Sequence, residues 1–125
     1  MVELPRAPGG VLGPLSPEAA LAVLRHIMNV WELDWFDATA LVGSKTNDMT
    51  TIEWTEDRRL RAAYLNELEK ALLELNPKTG IARWIATPNH GPFFAGNSPL
   101  QVIAGGPREM EGLLRQIRRW TGGKL

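Results

Sequence analysis

The sequence predicts an all-α fold of about seven short helices. Three observations lead there. Apolar residues recur at three- and four-residue spacing along several stretches. No stretch shows convincing period-two alternation, the mark of a half-buried strand. Between the periodic stretches stand Ser-Pro, Asn-Pro and Gly-Gly pairs, which start and stop helices.

Residues 1–15 are rich in proline and glycine and read as a flexible leader. Ser16 is placed to cap the first helix, with Pro17 at its first position and Glu18 facing the helix dipole. Leu21, Leu24, Met28 and Trp31 give this helix its apolar stripe, to Val30 or Trp31. A second short helix fits Asp34 to Val42 and closes on Gly43 in the C′ position. A third is expected over Asp48 to Trp54, after a polar turn at Ser44 to Asn47. Residues 56–75 carry the clearest pattern: Leu60, Tyr64, Leu68, Ala71, Leu72 and Leu75 form a stripe, and Arg and Glu fill the solvated faces.

Asn76 and Pro77 are expected to open the next helix, with Ile81, Trp84 and Ile85 buried and Pro88 ending it. A loop follows to Gly96, carrying Phe93 and Phe94. Ser98 and Pro99 begin a short helix that Gly105 and Gly106 stop. The last helix starts at Pro107. It places Glu109 and Glu111 early and Arg115, Arg118 and Arg119 late, the charge order the macrodipole favours. Its stripe is Met110, Leu113, Leu114, Ile117 and Trp120.

Composition narrows the function. The chain has 125 residues, no cysteine, two histidines and equal numbers of acids and bases. Thiolate chemistry, disulfides and Cys- or His-rich metal sites are therefore excluded. Zero net charge weighs against a dedicated nucleic-acid binder. No apolar run approaches the ~20 residues that span a bilayer, and residues 1–14 do not read as a secretion signal, so a cytoplasmic location is expected. Five tryptophans are many for this length, and large aromatics fill cores or anchor interfaces.

No enzyme signature emerges. His26 lies within a helix with no acidic or nucleophilic partner nearby in sequence, and His90 reads as a turn residue beside Asn89. Gly91 to Ser98 has the glycine spacing of a phosphate loop, but Asn97 stands where the lysine is needed. The acids at 34 and 37, 56 and 57, and 67 and 69 read as caps and surface charge.

Two regions suggest binding. Residues 34–54 fit a helix–turn–helix with Lys45, Thr46 and Asn47 as the DNA-contacting residues, or a helical hairpin that only builds the core. Residues 44–57 hold one base and four acids, a charge of −3 that repels phosphate. At the other end, Arg115, Arg118, Arg119 and Lys124 flank Trp120. This is the composition of an interface anchor, or of a solvated helix end.

From Ala82 to Gly123 the order of features resembles the toxin-binding domain of the MbcA/ParS/Xre antitoxin family. Trp84 in a helix is followed by Pro88-Asn89, a loop with Gly96 and Ser98-Pro99-Leu100. A glycine at 105 or 106 and a last helix closing on Arg119-Trp120 and Gly122-Gly123 complete the series. The resemblance continues more loosely upstream, where Leu33 to Leu75 is similar to the family's Xre-like helix–turn–helix and long amphipathic helix. It departs at Thr39, where the family commonly has alanine, and in the acidic, longer segment from Gly43 to Trp54.

The resemblance implies a division into the leader, an Xre-like region at 16–76 and a toxin-binding domain at 77–125. It implies a type II antitoxin, not an enzyme, that occludes the active site of a cognate RES-type or ADP-ribosyltransferase-like toxin. The contacts would come from Pro88, Asn89, Arg115, Arg118, Arg119, Trp120 and Lys124. NAD would be the toxin's substrate, so no cofactor is expected here. It further implies a homodimer or higher complex. The alternative is a transcriptional autorepressor binding operator DNA through Lys45, Thr46 and Asn47.

Overall fold

The computed structural model describes residues 12–44, 46, 48–75, 80–91 and 93–121. Among them the chain forms six α-helices and no strand. The helices are α1 (Pro17–Val30), α2 (Trp35–Leu41), α3 (Glu56–Leu75), α4 (Ile81–Ala86), α5 (Pro99–Ile103) and α6 (Pro107–Thr121). The all-α class is as expected. The helix expected over Asp48 to Trp54 is instead a three-residue 3-10 turn, Met49–Thr51. Adjacent β-branched Thr50 and Thr51 disfavour a longer helix, and Asp48 accepts from the amide and hydroxyl of Thr50, holding the backbone in a turn.

Helix ends follow local chemistry. The Ser16 hydroxyl accepts from the Ala19 amide at 3.2 Å, and Asp34 accepts from the Asp37 amide at 2.8 Å. Ser98 and Gln101 form a reciprocal capping box at the start of α5. Helix α4 begins at Ile81, after Gly80 at φ 94°. The expected opening at Asn76 and Pro77 lies outside the described residues.

Helix α3 is the centre of the fold, packed between α1 and α6. Because neighbours cover it on both sides, every residue from Ala62 to Glu69 is buried, polar ones included. The expectation that Glu67 and Glu69 belong to a solvated face is therefore corrected. Glu69 pairs with His26 of α1 at 3.2 Å, and Glu67 pairs with Arg118 of α6 at 3.2 Å and with Lys70 at 3.4 Å. Each buried carboxylate thus has a cation or an imidazole to offset its desolvation. His26 does have an acidic partner, distant in sequence and adjacent in space.

The expected leader also needs correction at its end. Leu12 and Leu15 are buried in the core, and Leu15 exchanges hydrogen bonds with Arg59 of α3, its amide donating at 3.3 Å and its carbonyl accepting at 3.1 Å. Gly13 and Pro14 suit the non-helical course of residues 12–15, and Leu12 and Leu15 dock them. Residues on both sides of position 76 contribute to one hydrophobic cluster. Gly112 matters for close packing in it, since a Cβ there would stand 3.1 Å from the Phe93 ring.

Candidate protein-binding site

The C-terminal ends of α3 and α6 and the short α4 converge on a groove of about 340 Å³, lined by Leu72, Leu75, Ile81, Trp84 and Trp120. Trp84 is its aromatic hub. It meets Trp120 edge-on at a centroid distance of 6.1 Å and Phe94 edge-on at 6.0 Å. Phe93 packs edge-on against Phe94 at 5.1 Å, carrying the cluster into the loop. Trp120 completes an apolar stripe, yet it is 45% exposed, because α6 runs past the core before it reaches this residue. Leu75 is similarly uncovered, at 40%.

The loop after α4 is held by its own backbone. Asn89 donates its amide to the Asn97 carbonyl at 3.0 Å, and its carbonyl accepts from Gly96 at 3.0 Å. Its side-chain oxygen accepts from the Gly91 amide at 2.8 Å. Asn89 thus closes the loop that seats Phe94 on Trp84, and its amide oxygen is engaged within the chain. Pro88 beside it is exposed.

The basic edge of α6 divides in two. Arg118 reaches inward to Glu67, and Arg115 pairs with Glu111. Glu111 also accepts from the Tyr64 hydroxyl at 3.2 Å. Burial, then the Glu111 charge and hydrogen bond, push the Tyr64 phenol above its ordinary range. Arg119 is exposed next to Trp120. Of the residues expected at the interface, the structure brings Trp120 against Trp84 at the groove and leaves Arg119 exposed. Lys124 lies outside the described residues.

Of the residues expected to contact DNA, Lys45 and Asn47 lie outside the described residues. Thr46 is tied into the protein. Its amide donates to the buried Thr39 hydroxyl at 3.0 Å, its carbonyl accepts from that hydroxyl at 2.7 Å, and its own hydroxyl accepts from the Asp48 amide at 3.2 Å. The Thr50 side chain and amide hold the Asp48 carboxyl below its usual range. Among the described residues, no cluster of three His, Asp or Glu could hold a metal ion, and no helix is long and apolar enough to cross a membrane.

Leu72, Leu75 and Ile81 read in sequence as core residues of two successive helices. Their share in a groove depends on how α3 turns into α4, and no local pattern encodes that. Trp35 and Phe36 on α2 are both exposed, and two adjacent aromatics cannot both face one core in a helix. Comparison of the chain with protein-family models, with curated proteins and with solved structures finds no match in any of the three.

Proposed function

We propose that this chain is the antitoxin of a type II toxin–antitoxin pair, acting in the cytoplasm by covering the active-site entrance of a RES-type or ADP-ribosyltransferase-like toxin. The observation that carries this reading is the state of Trp120. It is a large ring, nearly half exposed, packed edge-on against Trp84 at an open apolar groove, and its chain neighbour Arg119 is exposed. Preorganised aromatics beside arginine are the residues that dominate protein interfaces. The features that carry the family resemblance support the same reading, since Trp84 and Trp120 line this groove and Phe94 of the following loop packs on both.

The test is co-expression with the toxin encoded by the neighbouring gene. The pair R119A/W120A should keep its helical signal and lose neutralisation. A folded R119A/W120A variant that protects cells fully would place the interface elsewhere. The DNA-binding alternative draws less support, because the segment meant to read bases is a three-residue turn with Thr46 engaged inward.

A further inference from the structure

Helix α3 runs parallel to both of its neighbours. On one side Leu15, just before α1, meets Arg59, and His26 meets Glu69. On the other Tyr64 meets Glu111, and Glu67 meets Arg118 of α6. Both series ascend together, so the C-termini of α1, α3 and α6 stand at one pole, with α3 between the other two. Among the described residues the exposed large hydrophobics are Val30, Trp35, Phe36, Leu73, Leu75 and Trp120, and all six belong to this pole. Val30 and Leu73 lie one turn beyond the His26–Glu69 pair, on the same faces. Leu75 and Trp120 share the groove, and Trp35 and Phe36 open α2 directly after the end of α1.

Charge at the pole is divided. On the α1 side residues 32–37 hold Glu32, Asp34 and Asp37 and no base; on the α6 side residues 112–121 hold Arg115, Arg118 and Arg119 and no acid. Arg83 shares a hollow with Glu32 and Asp37, and Glu111 and Glu67 pair with Arg115 and Arg118, but each side keeps its sign. The last turns of α1 and α3 carry no base to meet the negative end of the helix dipole, whereas α6 carries two.

We propose that two copies of the chain pair through this pole, about a two-fold axis near the end of α3. Such a rotation lays the acidic side of one copy on the basic side of the other, twice, with the α3 leucines between them. It brings arginines to the end of α1, which has no base of its own, and covers the exposed rings of Trp35, Phe36 and Trp120. A partner of one sign would match only half of the pole. The zero net charge leaves no overall repulsion between copies. Three helix ends about 8–10 Å apart span roughly 30 Å, room for the about 800 Å² per partner that a stable pair buries. Pairing does not rest on the antitoxin reading. One consequence does: the pair covers the Trp120 groove, so pairing and toxin binding exclude one another.

The experiment is sedimentation velocity of the full chain from about 1 μM to about 1 mM, with circular dichroism to check folding. A monomer–dimer equilibrium is expected. W35A/F36A should pair at least about tenfold more weakly. So should each charge-reversed chain, E32K/D37K and R115E/R119E, while their equimolar mixture should pair again, a rescue that an unfolded chain could not give. A monomer throughout, pairing unchanged in W35A/F36A, a mixture that stays monomeric, or assemblies that grow without limit would overturn the proposal. Added toxin should convert the pair into a complex with one antitoxin chain. Toxin bound to an intact pair would overturn the exclusion, and a chain that pairs but binds no toxin would sink the antitoxin reading alone.

Discussion

Glu32 and Gly43 occupy the same position in two copies of one helix-ending motif. At the end of α1 the Glu32 amide donates to Asn29 and the Leu33 amide to Met28; at the end of α2 the Gly43 amide donates to Ala40 and the Ser44 amide to Thr39. Both residues are left-handed, at φ 56° and φ 82°.

One residue is at ease there and the other is not. Glu32→Gly should stabilise the fold by about 0.5–1 kcal/mol, because a side chain in this conformation is disfavoured. Gly43→Ala should cost about 1 kcal/mol, and its Cβ would also stand 3.3 Å from the Arg61 guanidinium. Urea unfolding monitored by circular dichroism measures both.

The Thr39 hydroxyl bridges both backbone groups of Thr46. Thr39→Val keeps the shape and removes the bridge, leaving a buried side chain with nothing to offer the Thr46 amide. A loss of about 1–3 kcal/mol is expected, with faster hydrogen exchange at that amide. Thr39→Ser should retain the exchange protection.

Arg118 and Arg119 are neighbours with different duties. Arg118→Ala removes one partner of buried Glu67, which keeps Lys70, and should destabilise the fold by about 1 kcal/mol after discounting for the half-exposed guanidinium. Arg119→Ala should change stability by less than about 0.5 kcal/mol. On the proposed function it should nonetheless weaken toxin binding. Paired thermal melts and toxin pull-downs separate the two.

Tyr64 is the chain's one tyrosine, so phenolate absorbance reports it alone. Its pKa is raised above the ordinary value by burial and by Glu111, which makes it a weaker acid. A group whose folded value is raised contributes stability below its unfolded value and loses it as pH rises through the folded one. Stability should therefore fall at alkaline pH as Tyr64 ionises. Glu111→Gln should move the midpoint back toward the ordinary range; an unmoved midpoint would mean burial alone sets it.

Asp48 has the opposite sign. Its hydrogen bonds from Thr50 lower its pKa, so the contribution holds above the ordinary carboxylate value and fades as pH falls through the folded one. Thr50→Ala should shift the Asp48 carboxyl titration, followed by carbon resonances, upward. No upward shift would assign the effect elsewhere.

Sequence alone determined the all-α class, the caps at Ser16, Asp34 and Ser98, and the stop at Gly43, because each depends on contacts within about one helical turn. It also marked Trp84 and Trp120 as notable residues. It misplaced Glu67 and Glu69 on solvent and Leu12 and Leu15 in a loose leader, and it gave His26 no partner. Those outcomes depend on α3 being covered from both sides by helices far away in the chain. Periodicity tells which face of a helix is apolar, but not that two neighbours will bury the polar face as well. Only the tertiary arrangement decided that, through pairs such as Glu67–Arg118 that join residues more than fifty positions apart.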